Sequence, residues 1–425
     1  MLPYAAEQGG VVLSATIDKY AYGSLRPRAD RRLTVQSLDY DIVAHYDIDQ
    51  EMPFDGELDL VKAVVKGMCP GCDNGLVHVS ADAPVLTAAL APAPATATPM
   101  PHQGHDGNGH GNGNGRAHAS GNGHGHGATV AYASGNGHTN GSGHANGHAN
   151  DNGHAHANAN GHTNGNGHAH ANGNGYSLPH GLDFLIHSDA PPGSGLGSSS
   201  TMVVALIGLM QHWQRRTLSH YELARLAYHI ERDMLGIAGG MQDQYAATFG
   251  GFNFMEFGES AVVVNPLRVD PDTVNELEYN LLLCYTGRTR LSANIIRTQV
   301  DNYVRHEADV LAAMAELKAI TVDMKNALLQ GRLNDFGARL HDAWENKKRM
   351  AAEITTSAID ALYETARAHG ALGGKITGAG GGGYMFFYCQ FDKKHIVARE
   401  LERLGAQVVN FTFDRHGLQT WEVPA

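Results

Sequence analysis

A short stretch, residues 189–200 with the sequence DAPPGSGLGSSS, constrains the chain more than its length or composition does. Its glycines Gly193, Gly195 and Gly197 stand at alternate positions, and three serines follow directly. Because glycine lacks a Cβ, the backbone N–H groups of such a loop can turn inward together and approach an anion closely. The stretch therefore predicts a phosphate-binding loop. A Gly–Ser linker between a strand and a core helix is the alternative for this stretch alone.

The residues behind the loop predict a buried helix that begins at the serines. The run 201–210 is almost wholly apolar. A helix there would present unpaired N–H groups and the positive end of its dipole to the loop, so nucleotide phosphates are the expected ligand. A Walker loop is excluded, because it needs a Lys after its last Gly and Ser198 holds that place.

The segment 69–179 is too poor in apolar residues to fold by itself. Of the 26 His in the chain, 15 lie between His102 and His180, among many Gly, Asn and Ala. Such a composition cannot bury enough apolar surface to offset the loss of chain entropy. We therefore predict a disordered insertion at a surface connection, and we expect deletion of residues 92–175 to leave activity nearly intact.

Charge and hydropathy exclude several classes of function. The formal net charge is −12, and an acidic surface argues against nucleic acid as the main partner. No apolar run reaches the roughly 18 residues that span a bilayer, and the N-terminus lacks the basic and apolar regions of a signal peptide. The sequence thus predicts a cytoplasmic protein with a small-molecule substrate and no membrane partner, and it leaves a homodimer open.

The four cysteines do not predict a disulfide framework. Cys284 and Cys389 lie in apolar runs, where a reduced core thiol is the ordinary expectation. Cys69 and Cys72 have the spacing of a zinc knuckle but lack a second cysteine pair. Chance spacing is therefore favoured over a weak metal site completed by nearby His.

Two acidic residues are candidates for the chemistry. Ser219 and Glu222 have capping-box spacing and open a helix on which Glu231 lies at the edge of the apolar stripe, while Arg232 lies on the solvated side. A glutamate at the edge of an apolar stripe is most often simply solvated. Because Glu231 lies one helix after the predicted phosphate loop, it is also a candidate magnesium ligand. Asp243 lies in a glycine-bracketed turn, where an acid usually serves the turn; the neighbouring motifs favour a catalytic role.

A third glycine-rich run, residues 375–383 with the sequence KITGAGGGG, leads into the apolar run 384–389. Gly378, Gly380 and Gly383 fit the pattern GxGxxG. That dinucleotide fingerprint follows a strand and opens a helix, whereas this run precedes a strand. The sequence therefore excludes a Rossmann site here and predicts an α+β second domain.

The runs 192–200, 236–244 and 375–383 together resemble the motifs of the GHMP kinases, small-molecule kinases that include galactokinase and mevalonate kinase. The likeness extends to the D-glycero-D-manno-heptose 7-phosphate kinases. It implies an α+β, two-domain fold with the active site in the cleft between the domains, interrupted by the Gly/Asn/His-rich insertion. The implied division is an N-terminal ATP-binding domain at 1–68 and 180–270, the insertion at 69–179, and a C-terminal domain at 271–425.

The resemblance also implies roles for individual residues. Ser199 and Glu231 would hold Mg²⁺, and Asp243 would face the acceptor hydroxyl. This agrees with phosphoryl transfer, which depends mainly on positioning and charge neutralisation. The residues that would bind ATP are Pro192, Gly193, Ser194, Gly195, Leu196, Gly197, Ser198, Ser199, Gly378, Ala379, Gly380 and Gly381.

The implied reaction moves the γ-phosphoryl group of ATP to the anomeric hydroxyl of D-glycero-D-manno-heptose 7-phosphate, on a route to nucleotide-activated heptose for surface glycans. A phosphorylated acceptor needs cations, and Arg288, Arg290 and Lys347 are candidates, with a solvated surface position the equal alternative for each. Two other functions stay open: a sugar-1-kinase of the fucose or galactose type, and a catalytically impaired chain whose His-rich segment binds Ni²⁺ or Zn²⁺.

The start of the sequence departs from the family pattern. Chains of this family begin with a strand and a Gly-Gly-Gly-Thr-Asp motif that helps to form the sugar pocket, and Met1 stands just after that point. We therefore expect the first sheet to lack a strand and the acceptor site to lack a part. Either the true start lies upstream or the chain is impaired.

Overall fold

The computed structural model describes residues 2–69, 128–133, 178, 180–287 and 292–424. Arg288, Arg290, Cys72 and most of the predicted insertion, including all of its histidines, lie outside these residues, so metal binding by that segment stays a prediction. The helices are α1 (Leu2–Gln8), α2 (Asp59–Met68), α3 (Ser198–Trp213), α4 (His220–His229), α5 (Gln242–Phe249), α6 (Pro271–Asn280), α7 (Ser292–Val304), α8 (Ala308–Leu329), α9 (Leu333–Lys348), α10 (Ser357–Ala368) and α11 (Lys394–Arg403).

The strands are arranged in three sheets. Their bounds are β1 (Gly10–Ile17), β2 (Ala21–Arg28), β3 (Arg32–Ser37), β4 (Ile42–Asp47), β5 (Ala128–Ala133), β6 (Gly181–Ser188), β7 (Phe252–Phe257), β8 (Val262–Pro266), β9 (Leu281–Tyr285), β10 (Ala371–Ile376), β11 (Tyr384–Cys389), β12 (Gln407–Val409), β13 (Phe413–Asp414) and β14 (Leu418–Val423).

A six-stranded sheet in the order β14-β5-β2-β6-β3-β4 supports the glycine–serine loop. Its strand β6 runs antiparallel to β2 and parallel to β3, and it leads directly into the loop. Helix α3 packs against the sheet through apolar residues such as Val203 and Leu206, which meet Leu25 and Phe184 in one buried cluster. The apolar run behind the serines therefore forms the buried helix that its composition predicted.

Strand β5 lies within the range that the sequence predicted to be a disordered insertion. It pairs antiparallel with β2, where Ala131 faces Gly23, and with β14, where Ala131 faces Thr420. The prediction of disorder did not include this strand, whose β-branched and aromatic residues interrupt the Gly/Asn/His composition. It lies between β2 and β14 in the six-stranded sheet.

The second half of the chain forms the sheet β10-β11-β9-β12 and the helices packed on it. Its core includes Trp344, Tyr363 and Phe387, all fully buried. The end of the chain then returns to the first half: β13 pairs with β1, and β14 joins the six-stranded sheet. A C-terminal domain at 271–425 stays a prediction, and its last strands contribute to sheets of the N-terminal part.

Several local expectations also have a counterpart in the structure. The capping box is confirmed, because Ser219 N donates to Glu222 Oε2 at 2.7 Å and Glu222 N donates to Ser219 Oγ at 3.3 Å. Cys284 and Cys389 are buried free thiols, and Cys69 is buried as well. None of the helices in the described part of the chain combines the length and the apolar character needed to cross a bilayer.

Candidate active site

The glycine–serine loop joins β6 to α3 through glycines in left-handed conformation. The angle φ is +74° at Gly193, +82° at Gly195 and +76° at Gly197, a region that residues with a Cβ rarely adopt. Helix α3 begins at Ser198, so the first N–H groups of a 16-residue helix lie at the end of the loop. This is the arrangement predicted for a phosphate-binding loop.

The two glycine loops pack against each other without room for side chains. Ser194 O accepts hydrogen bonds from Tyr384 N at 2.9 Å and from Thr377 Oγ1 at 3.3 Å. A Cβ on Gly383 would lie 2.2 Å from Ser194 O, and one on Gly195 would lie 2.7 Å from Thr377 Oγ1. The run 377–383 therefore fixes the position of the loop 193–197 from the other half of the chain.

Glu231 lies at the end of α4, in a π-helical turn over Ile230–Met234. Its Oε1 accepts a hydrogen bond from Ser199 Oγ at 2.7 Å, and its Oε2 accepts one from Ser200 Oγ at 2.6 Å. Only 1% of the residue is exposed. The α-helical pattern predicted an edge position, and the π-turn changes the side-chain direction so that the carboxylate points at the start of α3.

Gln244 is a member of this cluster that the sequence analysis missed. Its Nε2 donates to Glu231 Oε2 and, at 3.0 Å, to Ser200 Oγ. Its Oε1 is buried without a hydrogen-bond partner among the described residues. The sequence does place Gln244 next to Asp243 in the first turn of α5. That position alone does not predict its contact with Glu231.

The oxygen atoms at this point fit a magnesium ion. Mg²⁺ prefers hard oxygen ligands, and Ser199 Oγ and Glu231 Oε1 lie side by side at the cavity described below. Ser200 Oγ and Gln244 Nε2 donate hydrogen bonds to the other carboxylate oxygen, Oε2. Oε1, which faces Ser199, is therefore the oxygen available to a metal ion. The structure therefore brings the two predicted metal ligands together.

Asp243 lies in the first turn of α5, directly against the phosphate loop. A Cβ on Gly197 would lie 3.5 Å from Asp243 Cγ, and Gln242 Nε2 donates to Asp243 Oδ1 at 3.3 Å. Burial raises the pKa of Asp243 above the ordinary range of aspartate; the charge of Glu231 adds to this, while Gln242 and Arg232 oppose it. A raised pKa makes the carboxylate a better proton acceptor.

Arg232 supports the loop that precedes Asp243. Its Nε and one terminal nitrogen donate to Gly240 O at 3.3 and 3.2 Å, and the other donates to Ile237 O at 3.2 Å. Its side chain is only 10% exposed, so the prediction of a solvated side chain is wrong. The helical period placed it outward, but the π-turn and the following loop fold over it.

A cavity of about 820 Å³ connects these groups. Pro192, Ser194, Leu196, Gly380 and Gly381 lie outside its lining, and their role in ATP binding stays a prediction. The residues with predicted roles that line it are Gly193, Gly195, Gly197, Ser198, Ser199, Glu231, Asp243, Gly378 and Ala379.

Two of the residues outside the lining support the second glycine loop. Gly381 N donates to Ile354 O at 2.8 Å, and a Cβ on Gly380 would lie 2.9 Å from Ile354 Cα. These contacts hold the run 377–383 against the second half of the chain, so the two glycines act on the cavity through the position of Gly378.

Three lysines from the second half of the chain also line the cavity, and two of them, Lys347 and Lys375, lie near the second glycine loop. Lys347, near the end of α9, donates a hydrogen bond to Gly378 O, and Lys375 lies on β10. Burial lowers the pKa of both amines, and the charge of Lys375 lowers the pKa of Lys347 further. Lys347 is thus a cavity residue rather than a solvated one, and Lys375 is a residue that sequence reasoning did not single out.

Comparison with known sequences identifies both halves of the fold. Residues 167–251 match the GHMP kinases N terminal domain, and residues 324–407 match the GHMP kinases C terminal domain. The chain is 40% identical over 245 residues to the D-glycero-alpha-D-manno-heptose 7-phosphate kinase of Campylobacter jejuni, a match that covers 57% of this chain and 72% of that protein.

More distant relatives agree with this assignment. The chain is 28% identical over 248 residues to the mevalonate kinase of Pyrococcus furiosus, covering 57% of this chain and 70% of that protein. A solved structure, a D-glycero-D-manno-heptose 1-phosphate kinase from Bacteroides thetaiotaomicron, aligns with a TM-score of 0.61 and 26% identity, over 100% of this chain and 94% of that one. With its two matched domains and its paired glycine loops, the chain belongs to the GHMP kinase family.

Proposed function

We propose that this chain transfers the γ-phosphoryl group of ATP to the anomeric hydroxyl of D-glycero-D-manno-heptose 7-phosphate, giving ADP and the 1,7-bisphosphate. The observation that carries the proposal is the meeting of the glycine–serine loop, Glu231 and Asp243 at one cavity. The choice of a heptose phosphate rests on the 40% identity to the Campylobacter jejuni enzyme. We further propose that the reaction takes place in the cytoplasm and supplies nucleotide-activated heptose for surface glycans.

The loop at 193–199 is proposed to hold the ATP phosphates. Its left-handed glycines allow the backbone to approach an oxyanion, and the N-terminus of α3 adds unpaired N–H groups and a favourable dipole. The hydrogen bonds from Tyr384 and Thr377 to Ser194 keep this loop in place before the ligand arrives. Such preorganisation favours transfer because little rearrangement remains for the reaction step.

Ser199 and Glu231 are proposed to hold Mg²⁺. When bound, the ion would neutralise charge on the phosphate oxygens. Ser200 and Gln244 keep the Glu231 carboxylate oriented by hydrogen bonds to its second oxygen. The chain therefore supplies both the oxygen ligands and the groups that orient them.

Asp243 is proposed to accept the proton of the anomeric hydroxyl. As the hydroxyl oxygen forms its bond to the γ-phosphorus and the bond to ADP breaks, the proton passes to a carboxylate oxygen of Asp243. The raised pKa of this carboxylate suits the task. Its contact with Gly197 sets it beside the loop proposed to hold the donor.

The proposal is tested by ³¹P NMR of the purified chain with MgATP and D-glycero-D-manno-heptose 7-phosphate, beside a panel of free hexoses that includes fucose and galactose. We expect a new anomeric phosphate resonance and release of ADP with the heptose phosphate. If only a free hexose gives a product, that hexose and not the heptose phosphate is the substrate. If no sugar gives a product, the proposal is contradicted.

A further inference from the structure

The cavity is lined by several cationic side chains that the mechanism above does not use, and two of them lie close to the second glycine loop in the chain or in space. Lys347 on α9 and Lys375 on β10 line it together with Asp243. The glycine–serine loop and Glu231 come from residues 193–231, whereas both lysines come from the second half of the chain. They are therefore additional to the glycine–serine loop and Glu231.

Neither amine has an acidic partner among the described residues. Lys347 Nζ donates to the neutral carbonyl of Gly378, and Lys375 has no hydrogen bond or ion pair in the part of the chain that the structure describes. The contrast with Lys348 is direct, since that neighbour of Lys347 pairs with Glu345 at 2.8 Å. Both residues are only partly exposed, and amines withdrawn from water are ordinarily paired, so an unpaired couple at a cavity suits an anion.

The two lysines line the same cavity. The positive charge of Lys375 contributes, after burial, to lowering the pKa of Lys347. Two ammonium groups that face the same space repel each other, and a phosphate dianion between them removes that repulsion while it accepts hydrogen bonds from both. Phosphate fits this pair better than a neutral sugar hydroxyl does.

We propose that Lys347 and Lys375 bind the phosphate group that the acceptor already carries. This inference rests on the proposed function and deepens it, because it makes the lysine pair the determinant that selects a phosphorylated sugar over a free one. The nucleotide phosphates have their own N–H groups and oxygen ligands at 193–231. A sugar whose anomeric hydroxyl meets Asp243 would extend through the same cavity. The phosphate at its other end needs cations, and the groups at 193–231 do not provide them.

The test compares two substrates in the wild type and two variants. Wild type, Lys347→Met and Lys375→Met are assayed with D-glycero-D-manno-heptose 7-phosphate and with the unphosphorylated heptose, each at varied MgATP. We expect each substitution to raise KM for the phosphorylated sugar by about tenfold or more, the size of one lost charge-assisted hydrogen bond. The KM for ATP and the kcat/KM for the unphosphorylated sugar should stay within about twofold.

Lys348→Met is the matched control, because it removes a lysine from the same helix one residue away and breaks a surface pair with Glu345. It should leave KM for both sugars unchanged. Thermal unfolding of each variant checks the fold, which the Met substitutions should keep since they remove an unpaired charge. A raised KM for ATP with an unchanged preference for the phosphorylated sugar would overturn the inference and assign the pair to the nucleotide.

Failure of the proposed function gives a different result. If wild type forms no product with any sugar, the transfer reaction is contradicted, and the lysine site is then tested by calorimetric titration of heptose 7-phosphate into wild type and the three variants. Binding weakened by Lys347→Met and Lys375→Met, but not by Lys348→Met, supports the site. Equal binding in all four proteins, or none in wild type, overturns it.

Discussion

Asp243 packs against Gly197, the residue that ends the glycine loop and caps α3: a Cβ on Gly197 would lie 3.4 Å from Asp243 Cβ. Gly197 adopts φ of +76°, so the absence of a side chain serves both the backbone conformation and the approach of the acid. The carboxylate thereby lies beside the first N–H groups of α3. If these groups have their proposed roles, the proton acceptor and the phosphate-binding terminus are in contact, as an in-line transfer to a hydroxyl requires.

The first prediction concerns Asp243→Asn. The amide keeps the shape of the side chain but cannot accept the hydroxyl proton, so we expect kcat to fall by about a hundredfold or more. Binding of a non-hydrolysable ATP analogue, measured by calorimetry, should change by less than about threefold. Product formation is followed by ³¹P NMR.

Asp233→Asn is the matched control for that change. Asp233 lies nearby on the π-turn, is mostly exposed, and pairs with His229 at 2.8 Å rather than facing the cavity. Its variant should turn over like wild type. Wild-type turnover in Asp243→Asn would remove Asp243 from the mechanism.

The second prediction is a pH dependence. Burial and the charge of Glu231 raise the pKa of Asp243, with Gln242 and Arg232 opposing them. Because the ionised form is the proton acceptor, kcat/KM should fall as the pH falls through this raised value, and the midpoint should lie above the ordinary pKa of aspartate. The measurement is kcat/KM across the acidic range for wild type and Asp243→Asn. A midpoint in the ordinary range, or the same acidic loss in the variant, would contradict the assignment.

The third prediction concerns Gln244, which orients Glu231 without being a proposed metal ligand. Gln244→Leu removes the donor to Glu231 Oε2 and also the unpartnered Oε1, so the fold should survive. We expect the Mg²⁺ concentration for half-maximal rate to rise by about tenfold or more, as for other residues that orient metal ligands, with kcat largely recovered at saturating Mg²⁺.

Thr248→Val is the control for Gln244→Leu. Thr248 is buried one turn further along α5 and donates only to Gln244 O, at 2.7 Å. Its loss perturbs the same helix without touching Glu231, so the Mg²⁺ requirement should stay as in wild type. An unchanged requirement in Gln244→Leu would show that Ser199 and Ser200 suffice to orient Glu231.

The fourth prediction compares two glycines with the same backbone conformation. Gly383 has φ of +93° and Gly405 has φ of +88°, but a Cβ would meet Ser194 O at 2.2 Å on Gly383 and nothing within 4 Å on Gly405. Gly405→Ala should cost about 1 kcal/mol from the backbone alone. Gly383→Ala should cost about 2 kcal/mol more and weaken ATP binding, because it separates the two loops.

Denaturant unfolding and calorimetric titration of an ATP analogue measure both effects. The Gly405 variant measures the cost of placing a Cβ on a residue with positive φ. The difference in unfolding free energy between the two variants therefore reports the contact between the loops. Equal stability of the two variants would contradict a close packing of the glycine loops.

The sequence was sufficient to predict the parts of the site that depend on local pattern. Glycines at alternate positions before an apolar run predict the loop at 193–197 and α3. An acid in a glycine-bracketed turn usually serves the turn, so only the neighbouring motifs made Asp243 a catalytic candidate, and that role stays a prediction. The contact between Glu231 and Gln244 depends on a π-turn, which the period of 3.6 residues hides. Lys375 becomes relevant only when β10 brings it beside α9, a relation between distant segments that carries no local signal.

The last prediction revises the expected effect of shortening the insertion. Strand β5 lies between β2 and β14 in the six-stranded sheet, so a deletion of residues 92–175 takes away a strand that a deletion of residues 74–125 leaves in place. Without β5, the facing edges of β2 and β14 lose their backbone partners, and β14 loses its connection to the sheet that supports the phosphate loop.

We therefore expect the 92–175 deletion to lower the unfolding temperature by several degrees and to reduce kcat/KM, whereas the 74–125 deletion should match wild type in both. Both deletions shorten the predicted insertion, so the 74–125 deletion is the control for the loss of chain length. Hydrogen exchange followed by mass spectrometry adds a local readout, because β2 amides should exchange faster only in the 92–175 deletion. Equal exchange and equal stability in the two proteins would mean that β5 does not support the sheet.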